Sequence, residues 1–145
     1  MITKQYRKSQ AVKDLESLAT AEAQRKYPDM PPQYLCPRIY RDKTANELTK
    51  CIVDYITIKG GFASRINSMG VYRQKLNKFT PGTQRKGIAD IMATYQGKSL
   101  HIEVKAGTDR MRPEQMKVRD EVKSSGGYYY VAKDFESFKI WFDQL

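Results

Sequence analysis

Between Ile88 and Lys105 the chain alternates apolar and polar residues around Gln96-Gly97, and this alternation constrains the fold more than any other feature. A two-residue turn of this kind joins two antiparallel strands and needs positive φ at its glycine. Counting outward from the turn pairs Tyr95 with Lys98 and brings Asp90 opposite Glu103. One face of the hairpin then holds Ala89, Ile91, Ala93, Tyr95, Leu100, Ile102 and Val104, with no polar interruption, and must be the core side. The other face holds Asp90, Met92, Thr94, His101, Glu103 and Lys105.

The rest of the sequence supplies elements to cover that sheet. Ser9 to Lys26 reads as a helix with a thin apolar stripe of Val12, Leu15 and Leu18 or Ala19. Pro28, Pro31, Pro32 and Pro37 make the following segment an extended connector. The expected organisation is an N-terminal helical arm and connector over residues 1–42 and one domain over 43–145, with the thin stripe of the arm suited to a partner's groove. Thr44-Ala45-Asn46-Glu47 is a capping box, and Leu48, Cys51, Ile52, Tyr55 and Ile56 follow at helical spacing until Gly60-Gly61. Phe62 to Asn67 alternates as a strand, and Val71 to Gly87 reads as a basic loop.

Beyond the hairpin, Pro113 opens a helix that runs to Ser124 or Ser125, ahead of Gly126-Gly127. Tyr128 to Ala132 is a strand, whose tyrosines are expected to pack in the sheet rather than stack on bases. Asp134 caps a last helix with Phe138, Trp141, Phe142 and Leu145 on one stripe. The predicted order is helix, three strands, helix, strand, helix, a mixed α/β sandwich. The 145 residues suffice for one domain with a real core and are too few for two.

Charge and residue usage narrow the function. Lys and Arg number 26 against 16 Asp and Glu, a formal net charge of +10, which points to a polyanionic partner. The single histidine removes His-metal finger motifs and paired-imidazole phosphodiesterases and argues against a zinc site, so any catalytic metal is expected to be held by oxygens, as Mg²⁺ or Mn²⁺ are. Cys36 and Cys51 share no framework spacing, which fits free thiols in a reducing compartment. With no long apolar run and a polar Met1 to Gln10 segment, neither a membrane span nor a signal peptide is expected, and the expected location is cytoplasmic.

Two carboxylates directly opposite on one sheet face repel, so Asp90 and Glu103 call for a positive charge between them. A divalent cation answers this well, since Mg²⁺ needs only one or two protein carboxylates and takes its other ligands from water and phosphate. Lys105, on the same face one strand step on, can then orient the attacking water or steady developing charge. Glu121-Val122-Lys123 repeats the same letters inside a predicted helix, where positions i and i+2 do not share a face, and is dismissed.

Gly87-Ile88-Ala89-Asp90-Ile91, Ile102-Glu103-Val104-Lys105, Gln115 and Gly126-Gly127 together resemble the VRR-Nuc branch of the PD-(D/E)xK nucleases. The resemblance covers roughly Thr44 to Asp143 and leaves the first forty or so residues unexplained; Ala89 stands where the name-giving motif has proline, which removes no chemical group. It implies a restriction-endonuclease-like αβββαβ core, metal binding by Asp90 and Glu103, Lys105 as the catalytic lysine, and Gln115 as the helix glutamine. Glu47 would be the acidic residue of the first helix that completes the site, although as the third helical residue of a capping box it has a structural role available too. Gln115 shares a helical stripe with Met111, Val118 and Val122, so a polar side chain is turned inward. Small stand-alone members of this branch are associated with phage and resemble Holliday-junction resolvases in working as dimers.

The function expected from sequence is therefore a Mg²⁺- or Mn²⁺-dependent endodeoxyribonuclease, acting as a homodimer on branched or structured DNA. Its phosphate contacts would come from Arg73, Lys75, Lys78, Arg85 and Lys86 in the basic loop, with Arg65, Arg110 and Arg112. The rival is a non-catalytic nucleic-acid-binding module in which the hairpin is only scaffold.

Overall fold

The computed structural model describes residues 5–66, 70–82 and 84–145. In chain order its elements are α1 (Gln10–Lys26), α2 (Ala45–Ile58), β1 (Phe62–Arg65), β2 (Val71–Arg73), β3 (Lys78–Thr80), β4 (Ile91–Tyr95), β5 (Lys98–Val104), α3 (Pro113–Ser124), β6 (Tyr128–Ala132) and α4 (Phe135–Phe142). Four strands form one sheet in the order β1-β4-β5-β6. β1 and β5 run antiparallel to β4, while β6 returns through α3 to lie parallel to β5, so the sheet is mixed and the architecture α/β.

The central hairpin has the register counted from its turn: Tyr95 pairs with Lys98 and Ile91 with Ile102. Gln96 as well as Gly97 has positive φ, at 47° and 75°. A two-residue turn whose twist matches that of its strands requires the left-handed region at both central positions, which the glycine alone does not reveal. β4 is shorter than the apolar pattern suggested, because the chain bends at Asp90. Lys105 N donates to Ala132 O of β6 at 2.8 Å, so Val104 N points the other way, towards β4. There it finds the side chain of Asp90, whose Oδ2 accepts at 2.9 Å in place of a ladder carbonyl.

The apolar face of the sheet packs under α1, α2 and α4. Ile91, Leu100, Ile102 and Ala132 meet Leu48, Ile52, Tyr55, Phe135 and Phe138 in one cluster, each fully withdrawn from solvent. α3 covers the opposite face at one end, reaching Glu103 through Gln115. The hydroxyl of Ser9 and the capping box of Thr44 and Glu47 start α1 and α2, and Asp134 Oδ1 starts α4 by accepting from Ser137 N.

Two expectations are corrected. α1 is no separate arm awaiting a partner: Ala11, Val12, Leu15 and Ala19 belong to the same core cluster, against α2 and α4. The connector is tied back as well, since Glu16 Oε1 accepts from Tyr40 N at 2.8 Å and Asp42 Oδ2 from Phe135 N at 3.0 Å. The stripe looked thin because three of its five buried residues are alanines, which contribute little apolar area but let helices approach closely. Secondly, Val71 to Gly87 is not all loop: β2 and β3 form a separate antiparallel hairpin, pairing Tyr72 with Phe79 and Arg73 with Lys78. Asn67, expected at the end of β1, lies outside the described residues. Among the described residues no helix is long and apolar enough to cross a membrane. Cys36 is exposed and Cys51 buried, and both are free thiols.

Candidate active site

Glu103 enters the site from the end of β5. On the face away from the main core, in a position that alternation would ordinarily give to an exposed side chain, it is only 1% exposed. Three neighbours explain how a carboxyl is accommodated there. Gln115 Nε2 donates to its Oε1 at 2.5 Å, Lys105 Nζ lies 3.1 Å from the same oxygen, and Asp90 stands opposite across the hairpin, one register step beyond the Ile91–Ile102 pair. The second oxygen, Oε2, is buried with no hydrogen-bond partner among the described residues.

The electrostatics follow from that burial. Loss of solvent pushes the Glu103 carboxyl up to about 7, the negative charge of Asp90 pushes the same way, and Lys105 opposes both. Lys105 is itself 4% exposed and is held from its other side by Asp109, whose Oδ2 lies 3.4 Å from Nζ. A buried ammonium between two carboxylates is paired, as burial of charge requires. Asp109 carried no signal in the sequence, since it sits in the irregular stretch between β5 and α3 and meets Lys105 only because the chain turns there.

Gln115 serves two structures at once. Its Oε1 accepts from Arg112 N at 2.9 Å, satisfying a free donor at the start of α3, while its Nε2 fixes Glu103. The cap thus sets the rotamer that aims the amide at the carboxylate. The approach of α3 depends on Gly87, which has φ +82°; a Cβ there would lie 2.5 Å from Glu114 O and 3.0 Å from Gln115 N. Glycine is needed at this position for both conformation and space.

Asp90, Glu103, Lys105 and Gln115 therefore come together as the sequence suggested. Glu47 is engaged elsewhere: its Oε2 accepts from Thr44 N at 2.9 Å as the reciprocal half of the capping box, and Oε1 faces Arg41 at 3.7 Å. The cations divide into two groups. Arg85 pairs with Glu121, Lys86 with Glu114 at 2.8 Å, and Arg65 with Asn46 at 2.7 Å, so these three also fasten their segments to the helices. Arg73, Lys75, Lys78, Arg110 and Arg112 have exposed positions.

Sequence reasoning missed Tyr129. Tyr130 stacks on Trp141 at 4.5 Å as a packing residue, but Tyr129, one residue earlier, faces the other way and is buried beside the site with an unpartnered hydroxyl among the described residues. Burial and the charges of Glu103 and Asp90 push its phenol up from the usual range. Period-two alternation assigns the face; only the strand order reveals that the face is shared with Glu103. His101, opposite Tyr129, lies within hydrogen-bond range of Ser99 Oγ through Nε2 at 3.3 Å, and burial lowers its imidazole pKa.

Next to this centre lies a cleft of about 510 Å³, lined by Asp90, Gln115, Phe79, Gly70 and Arg112 among others. Fold and site define a mixed α/β protein whose central hairpin ends in a buried acid–lysine centre at an open, basic-edged cleft. No family model, curated protein or solved structure matches the chain.

Proposed function

We propose that this chain is a Mg²⁺- or Mn²⁺-dependent endodeoxyribonuclease with a PD-(D/E)xK core, acting on branched or otherwise structured DNA. The observation that carries the reading is Glu103, a carboxyl buried beside Asp90 with one oxygen fixed by Gln115 and Lys105 and the other without a hydrogen-bond partner among the described residues. Ionised beside Asp90 and away from water, that carboxyl is disfavoured, as its upward pKa shift records. The arrangement suits a hard cation held by two carboxylates, with the remaining ligands supplied by water and phosphate.

Asp90 and Glu103 would hold the cation, which when bound lowers the pKa of a coordinated water and draws charge from the phosphate. The chain's own groups do the rest. Gln115 and Lys105 fix Oε1, which leaves Oε2 to act as a ligand. Lys105 Nζ, positioned by Asp109, offers a preorganised positive charge to the phosphoryl oxygens or a hydrogen bond to the attacking water. The start of α3 lines the cleft, where Arg112, Arg85 and Lys86 outnumber Glu114 and favour an anion. Arg73, Lys75, Lys78 and Arg110 supply further phosphate contacts. A homodimer would present two such sites to the two strands of a junction.

The second reading, a basic binding module without catalysis, is favoured by the +10 charge alone. Incubation of labelled linear, flapped and four-way-junction DNA with Mg²⁺, Mn²⁺ or EDTA separates the two. Cutting that requires the cation supports the nuclease; salt-sensitive binding that ignores chelator, without cutting under any condition, supports the module.

A further inference from the structure

The β2–β3 hairpin stands apart from the four-stranded sheet, yet it spends its best packing residues on solvent. Phe79 is 63% exposed, Tyr72 54% and Leu76 in the turn 61%. Tyr72 and Phe79 are direct cross-strand partners, so both rings project from one face, while Arg73 and Lys78, the next pair, project from the other. An isolated two-stranded hairpin gains stability by packing a face against something, and a face kept for solubility would carry polar side chains. Phe79 also lines the cleft that contains Asp90, with its ring against Gly70, where an added Cβ would lie 2.5 Å from the ring edge.

We propose that the Tyr72–Phe79 face of this hairpin stacks on unpaired DNA bases next to the acid–lysine centre, so that the cleft takes DNA carrying a single-stranded segment. The proposal rests on the nuclease reading for its substrate and sharpens it. Aromatic faces accept any base, whereas a paired duplex keeps its bases stacked on one another and offers them none. The charges suit that occupant: Arg73 and Lys78 on the reverse face and Lys75 in the turn are exposed cations on the same short hairpin, and bases laid on rings with phosphates met by nearby cations is the general mode of single-strand binding. A second copy of the chain carries the same formal charge of +10 and would gain nothing from Arg73, Lys75 and Lys78 on its docking element, with Arg112 lining the adjoining cleft.

The test is fluorescence anisotropy in EDTA, with a labelled oligothymidylate and a blunt duplex as probes, on the full chain and on Tyr72→Ala, Phe79→Ala and the double variant. The expected result is a loss of single-strand affinity of roughly 5-fold or more per ring removed, with duplex affinity within about 2-fold and an unchanged salt slope, because the cations remain. Phe79→Trp keeps a ring and should bind as the parent does, with its added indole emission quenched on addition of oligothymidylate. Equal losses on both probes, no loss on either, or a change in oligomeric mass on removing the rings would overturn the proposal, the last by making the face a contact between copies. Stacking without metal-dependent cutting would leave this proposal standing and sink the nuclease; cutting with ring-independent binding would do the reverse.

Discussion

Lys105 Nζ and Glu103 Oε1 lie 3.1 Å apart with their side chains 5% and 2% exposed, and this ion pair is off balance: the carboxyl is pushed up to about 7 despite the ammonium beside it. Burial and Asp90 together outweigh the attraction of Lys105. The carboxyl therefore takes up a proton near neutral pH that an exposed glutamate would release.

The first prediction concerns pH. A carboxyl raised from about 4.5 to about 7 binds its proton more tightly folded than unfolded, so its contribution to stability is fully present below pH 4.5 and is lost as pH rises to 7. In EDTA the protein should therefore become less stable over that window, by at most on the order of 3 kcal/mol from this group. Glu103→Gln removes the ionisation, so its melting temperature should fall less between pH 5 and pH 8. Mn²⁺ should raise the melting temperature of the parent at pH 8 and leave that of the variant unmoved. A variant with the same pH slope as the parent would contradict the assignment.

Gln115→Ala frees Glu103 from the amide that donates to its Oε1 and removes the acceptor for Arg112 N. The cap accounts for about 1 kcal/mol of stability. Loss of the outer support of a ligand should in addition weaken Mn²⁺ affinity and cleavage by about 10- to 100-fold, with DNA binding in EDTA unchanged. A variant that melts earlier but cuts and binds Mn²⁺ like the parent would reduce Gln115 to a helix cap.

Glu47→Gln separates the two roles the sequence offered for this residue. Its oxygens are engaged by Thr44 and Arg41, so the expected outcome is a destabilisation of no more than about 1 kcal/mol and an unchanged Mn²⁺ affinity by calorimetry. A tenfold loss of metal affinity at unchanged stability would restore it to the ligand set.

Leu15 on α1 is fully buried in the common core. Leu15→Ala should cost about 2–5 kcal/mol in chemical denaturation, and deletion of residues 1–42 should abolish a cooperative transition. A shortened chain that unfolds cooperatively at the parent's midpoint would return α1 to the status of an arm.

These residues also show what could be read in the sequence. The opposition of Asp90 and Glu103 was legible because a two-residue turn leaves no freedom in the count and because one apolar face tolerates only one register. The capping box at Thr44 and the stripe of α4 were legible for the same reason: each is a rule linking residues a few positions apart. The docking of α1 was not, since alanine carries almost no apolar signal and its packing value depends on what lies opposite. The β2–β3 hairpin was hidden by the exposure of Tyr72, Leu76 and Phe79, which removes the contrast between faces on which strand recognition rests. Asp109 and Tyr129 reach the site through a chain reversal and a strand neighbour far away in sequence, and neither is a local property.

The most direct measurement is single-turnover cleavage of a labelled four-way junction by the parent and by Lys105→Ala, in Mn²⁺ and in EDTA, with binding followed in parallel. The account predicts cutting by the parent in Mn²⁺ only, and a variant that binds the junction as tightly but cuts at least 100-fold more slowly. Equal cutting by the two proteins, or tight binding without cutting by the parent in Mn²⁺, would contradict it.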